Sequence, residues 1–175
     1  GGVGKTTLAQ LVYNDSRVKG SFDLRIWICV FDPFDVAGIA RGIVERVTRE
    51  IIPRDTNQLE LVLEKLRNSI SGKKFLLVLD DVWTEDHNKW EPLKVNLNDG
   101  AAGSMVLVTT RNERVAKMMG TSDGHIYHPQ HLSDDNCWSL LRRISLSGRS
   151  EEQCGMFEDV GKKIAKKCEG LPLAF

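Results

Sequence analysis

The spacing of apolar residues changes repeatedly along the chain, and each change marks an element. Leu24-Arg25-Ile26-Trp27-Ile28-Cys29-Val30 is rich in β-branched and aromatic residues, which predicts a strand. Phe75-Leu76-Leu77-Val78-Leu79 and Met105-Val106-Leu107-Val108-Thr109 are continuous apolar runs, the pattern of strands buried on both faces of a parallel sheet. Between these runs the period lengthens. A helix is expected from near Lys5 through Leu8, Ala9, Leu11 and Val12. Ile39, Ile43, Val44, Val47 and Ile51 recur at helical spacing and stop at Pro53; Leu59, Val62, Leu63, Leu66 and Ile70 do so again before Gly72. Trp90, Leu93, Val95 and Leu97 give a weaker helical segment, and Val115, Met118 and Met119 a short one. Ile126 and Tyr127 are expected to begin one more short strand. Ser133 is placed to N-cap a helix through Trp138, Leu140, Leu141 and Ile144, and Phe157, Val160, Ile164 and Ala165 define a last helix ending near Gly170. Strands alternating with helices over two thirds of the chain predict an α/β parallel sheet flanked by helices. The final third reads as helical.

Charge and cysteine content narrow the class. Lys plus Arg and Asp plus Glu both number 24, and no basic run marks a nucleic-acid face. Cys29, Cys137, Cys154 and Cys168 form no CxxC pair, which fits buried reduced thiols better than a disulfide framework or a zinc site. No apolar run approaches the roughly 18 residues of a spanning helix, and no secretory leader is visible, so no membrane partner and a cytoplasmic location are expected. Gly1 lies inside a motif and Phe175 directly follows another, so the chain reads as a segment of a longer protein.

The chemistry is carried by two strand ends and a glycine-rich turn. Gly1-Gly2-Val3-Gly4-Lys5-Thr6-Thr7 is the latter part of a phosphate-binding loop, GxxxxGK[ST]. Its glycines let backbone N–H groups turn toward phosphate oxygens, and the helix that follows presents its free amides to the same anion. Lys5 is placed to reach the β- and γ-phosphates, Thr6 to coordinate Mg²⁺, and Thr7 to donate beside it. A chance glycine turn is the alternative, and a second motif argues against it. Leu76-Leu77-Val78-Leu79-Asp80-Asp81 ends a buried strand in carboxylates about 75 residues further on, at the sheet edge where α/β proteins bind ligands. Asp80 is the candidate metal ligand, and Asp81 the candidate for orienting or deprotonating water. Arg111, after Thr109-Thr110, is placed to sense a γ-phosphate.

Other patterns are set aside. His125, His128 and His131 are evenly spaced, but Pro129 breaks the run. Leu146-Ser147-Gly148-Arg149 follows the carboxylate strand, whereas the transporter-ATPase signature precedes it. Asn88-Lys89-Trp90-Glu91 lacks the final Asp of the guanine-reading motif. Trp27, Trp83, Trp90 and Trp138 are expected in the core rather than against a base.

Taken in order, these residues resemble the NB-ARC domain of plant disease-resistance proteins. Phe22-Asp23 through Val30, Lys74 through Trp83, Gly103 through Arg111, Leu132-Ser133-Asp134-Asp135 with Cys137-Trp138, and Gly170-Leu171-Pro172-Leu173-Ala174 each look like one of that family's motifs. Trp83 and the Trp27 motif resemble the coiled-coil rather than the TIR subclass. The resemblance implies a P-loop NTPase sheet over 1–130 with its first strand missing, then the start of a helical subdomain over 131–175. It implies an intracellular immune receptor that exchanges ADP for ATP, with slow hydrolysis as reset and the hypersensitive response as output. Pro172 would then lie on the adenine side of the nucleotide. Implied partners are further helical subdomains, leucine-rich repeats, a coiled coil and an oligomer on activation. Phe31-Asp32-Pro33 departs from the family pattern. Without the strand before the P-loop, the segment alone is expected to fold poorly and bind nucleotide weakly. A turnover ATPase of the AAA+ kind and a decayed gene copy are the competing readings.

Overall fold

In the computed structural model, which describes residues 2–53 and 58–174, side-chain alternation assigns each strand residue to a layer. The chain forms two units, Thr6–Ile126 and Tyr127–Phe175 with Gly1–Lys5. In the first unit, β1 (Leu24–Cys29), β2 (Phe75–Val82) and β3 (Met105–Thr110) form a parallel sheet in the order β1-β2-β3. On one face Ile26, Ile28, Leu77 and Leu79 pack with Ile39 and Ile43 of α3 (Val36–Thr48), Val62 and Leu66 of α4 (Leu59–Ile70), and Trp90 and Leu93 of α5 (His87–Leu97). On the other, Leu76 and Val78 meet Ala9 of α1 (Lys5–Asn14), with Tyr13, Trp27 and Leu107 partly buried beside them. β2 is thus covered on both faces, and each of its buried Leu or Val side chains contributes about 1.5–3 kcal/mol. Two short helices, α2 (Ser16–Lys19) and α6 (Glu113–Met118), are started by Asp15 and Asn112, whose side chains accept the N–H of Arg17 and Arg114.

The pattern misleads at three places in this unit. β3 is not buried on both faces: Met105 and Val106 are exposed, because β3 pairs with β2 alone among the described residues. α3 stops at Thr48, where Arg49 turns left-handed at φ 62°, so Ile51 is left in solvent rather than on the helical face. No strand begins at Ile126. A 3₁₀ turn over Asp123–His125 takes up the Ile126 N–H with the Asp123 carbonyl, leaving no donor for a ladder.

In the second unit, α7 (Asp134–Ser145) starts on Ser133, whose hydroxyl accepts the Asn136 N–H. An unforeseen helix, α8 (Glu151–Met156), opens with a reciprocal capping box between Ser150 and Gln153. The last helix, α9 (Glu158–Lys167), does not bury the expected face. Phe157, Val160 and Ile164 are exposed, while Gly161 and Ala165, continued by Cys168, face inward. Small residues prevail because the Trp138 indole lies so close that a Cβ at Gly161 would come within 1.9 Å of it. Among the described residues no helix is long and apolar enough to cross a membrane.

All four cysteines are free. Cys137, Cys154 and Cys168 are buried, but Cys29, at the end of β1 on the face opposite Ile28, is exposed, contrary to the expectation for all four. Burial pushes the Cys137 thiol above its usual range, and Cys168 adds to the effect. Iodoacetamide near neutral pH is therefore expected to label Cys29 alone of the four in the folded protein and all four after denaturation, which peptide mass mapping checks.

Candidate functional site

The carboxyl end of β2 is irregular. Leu79 pairs with Val108 and Val82 with Thr110, so one extra residue is accommodated on β2 opposite Thr109. Such a bulge re-aims side chains and leaves a backbone group unpaired. Asp81 takes up the irregularity at φ 62°, a region that L residues other than Gly, Asn and Asp seldom occupy. Its N–H is captured by the Thr109 hydroxyl at 2.9 Å. The same hydroxyl donates to Asp80 Oδ1 at 2.5 Å. Asp80 is only 7% exposed, and the same oxygen accepts a second hydroxyl, Thr6 Oγ1, at 2.9 Å. A buried carboxylate satisfied by two hydroxyls is a hard oxygen donor of the type that suits Mg²⁺.

Thr109 therefore holds the Asp80 carboxylate and the Asp81 backbone in place, a role the sequence reading missed. Its one signal was a hydroxyl residue closing an otherwise apolar strand. Thr109→Val keeps the shape but leaves the Asp81 N–H and one bond of Asp80 unmade. A loss of about 1–3 kcal/mol in unfolding free energy is expected, measurable by denaturant titration.

Arg111 follows β3 and is half-exposed. Its Nε lies 3.7 Å from Asp81 Oδ1, and its guanidinium carbon lies 4.6 Å from the centre of the Trp83 ring. Trp83 is 49% exposed, so it leaves the core where it was expected, because it has passed the end of the covered strand. Trp90, by contrast, is core. The loops after β2 and β3 are laced further. Asn112 Nδ2 donates to Glu85 Oε1, and the Arg114 guanidinium lies 4.0 Å from Glu85 Oε2.

The phosphate loop directly precedes α1. Gly2 and Gly4 have φ of 83° and 91°, conformations that turn backbone amides without Cβ strain. Val3, Gly4 and Lys5 are half-buried, while Thr6 and Thr7 are exposed; Gly1 lies outside the described residues. Pro172 opens a 3₁₀ turn, Pro172–Ala174, in which the Leu173 N–H donates to the Gly2 carbonyl at 3.4 Å. Gly2 and the segment from Gly170 to Ala174 are thereby brought together, although about 170 residues separate them.

The NB-ARC domain model matches residues 1–151 of the chain. The chain belongs to the NB-ARC domain family. Among curated relatives it is similar to the disease resistance protein RGA2 of Solanum bulbocastanum, at 43% identity over 174 residues, 99% of this chain and 18% of that protein. It is 41% identical over 178 residues to the putative disease resistance RPP13-like protein 1 of Arabidopsis thaliana, with 99% of this chain and 16% of that protein covered. The chain thus spans less than a fifth of the length of either relative. As an NB-ARC domain, it is a nucleotide-binding module by family, and the glycine turn and the strand-end carboxylates are the parts of it with phosphate and cation chemistry.

Proposed function

We propose that this NB-ARC domain is the ADP/ATP-binding switch of a cytoplasmic plant disease-resistance receptor. The observation that carries the reading is the buried Asp80 carboxylate, held by Thr6 from the phosphate-loop helix and by Thr109 from β3. Bound nucleotide with Mg²⁺ would supply the polyphosphate whose terminal group distinguishes the two states of the switch. Amides of Gly1, Gly2, Val3 and Gly4 would cradle phosphate oxygens, with Lys5 neutralising charge and Thr7 donating a hydroxyl. Thr6 and Asp80 would hold the cation, the Thr6 hydroxyl exchanging its hydrogen bond to Asp80 for metal coordination. Asp81 would orient water and accept its proton during slow hydrolysis, and Arg111 would read the γ-phosphate. Pro172 would lie on the adenine side.

Other domains of the receptor are the proposed partners: further helical subdomains, leucine-rich repeats, a coiled coil and, on activation, further copies. A switch of this kind needs each nucleotide to favour one conformer, and moving a population from about 1:99 to 99:1 takes roughly 5.5 kcal/mol of differential binding. The test is to denature a purified full-length receptor carrying this domain and identify what is released. Recovered ADP supports the switch. An empty site, or GDP, overturns it.

A further inference from the structure

The switch reading leaves one contact unexplained. Arg111, the group proposed to read a γ-phosphate, is already occupied by protein. Its separation from Asp81 is too long for a hydrogen bond, so this is a loose ion pair at a half-exposed position. Its second partner is the face of Trp83, where a guanidinium gains from the ring quadrupole. Asp81 owes its placement to the bulge at the end of β2, and Trp83 follows two residues later, so one irregularity positions both partners of the arginine. Glu85 and Asn112 tie the same two loops together just beyond.

We propose that Trp83 is a positioning residue: its indole face and the Asp81 carboxylate park Arg111, and a terminal phosphate must draw the guanidinium away. The proposal rests on the switch reading and deepens it. The parking favours the diphosphate state, because only a triphosphate has to displace Arg111 from these partners. Asp81 presents one carboxylate at 3.7 Å, whereas a phosphate offers more charge and several acceptors in the forked geometry that arginine matches. The exchange is therefore favourable but opposed, and Trp83 sets part of the opposition.

The test compares equilibrium affinities for ADP and for a non-hydrolysable ATP analogue, both with Mg²⁺, in a full-length receptor. Trp83→Ala is expected to shift the affinity ratio toward the analogue by about two- to fivefold, the range of an exposed cation–π contact. Trp83→Leu, which keeps apolar bulk without a π face, should shift it in the same way, and Trp83→Phe should restore most of the wild-type ratio. In an Arg111→Ala background, Trp83→Ala should leave the ratio unchanged. An unchanged ratio in both Trp83→Ala and Trp83→Leu, with Arg111→Ala still altering it, overturns the parking while leaving the switch intact. A ratio shifted toward ADP overturns it too, since the ring would then be presenting Arg111 to the phosphate. An unchanged ratio in Arg111→Ala itself removes both the parking and the role of Arg111 in the switch.

Discussion

Lys5→Ala in a full-length receptor is expected to weaken ADP and ATP binding by about a hundredfold or more, and to abolish signalling with it. The reason is electrostatic. An ammonium hydrogen-bonded to phosphate oxygens contributes about 1.5–3 kcal/mol per bond, and two such bonds exceed the roughly 2.8 kcal/mol that a hundredfold change in affinity requires. Lys5 is the first residue of α1, where alanine is fully compatible with the helix, so the loss should appear in binding rather than in folding. Calorimetric titration of nucleotide-stripped wild type and variant measures the effect, and circular dichroism checks that the fold persists. Unaltered nucleotide retention together with unaltered signalling would remove the phosphate-loop reading altogether.

The parallel sheet was legible because its strands obey the simplest rule available. Leu76 to Leu79 is apolar without interruption because both faces of β2 are covered, and Ile26 and Ile28 alternate with Trp27 because β1 divides its side chains between two layers. Carboxylates directly after such a run could be placed at the sheet edge from sequence alone. The bulge that arranges them could not. Asp80-Asp81-Val82 carries no glycine to announce a left-handed residue, and the register shift exists only relative to β3, a partner 28 residues away from Asp81. The same limit hid Thr109 and put Trp83 in the wrong environment, since both depend on which residue stands opposite.

In the last third the helices starting at Ser133 and ending near Gly170 were legible, but the buried face of the last one was not, for a different reason. Periodicity finds a face by looking for large apolar residues, and these are Phe157, just before α9, with Val160 and Ile164 in it, all exposed. The buried face is made of residues selected for absence of bulk, Gly161 and Ala165, against the Trp138 ring. A hydrophobicity pattern gives glycine no weight. Close approach of two elements is therefore invisible until the partner is known.

Gly170→Ala is expected to lower the unfolding free energy by about 2–5 kcal/mol. Two costs combine. Gly170 has φ 76°, where a Cβ costs about 1–2 kcal/mol. The added carbon would also lie 2.6 Å from the Leu132 carbonyl oxygen and 2.6 Å from His131 Cβ, and overpacking of this kind costs about 1–3 kcal/mol. The segment cannot easily back away, because the Leu132 N–H donates to the Gly170 carbonyl at 3.0 Å and His131 Nδ1 lies 2.8 Å from the Glu169 carbonyl. Gly148→Ala separates the terms: it has φ 83° with nothing within 4 Å of the new carbon, so only the conformational cost should appear. Gly155→Ala, inside α8 with open space around it, should be neutral or slightly stabilising through helix propensity. Thermal denaturation of the three variants in one receptor background gives the comparison. Equal effects for Gly170 and Gly148 would mean that the contact with Leu132 is not formed. Because Pro172 and Leu173 lie only two and three residues after Gly170, a lost turn there should also break the Leu173 bond to Gly2, coupling a stability defect to the phosphate loop.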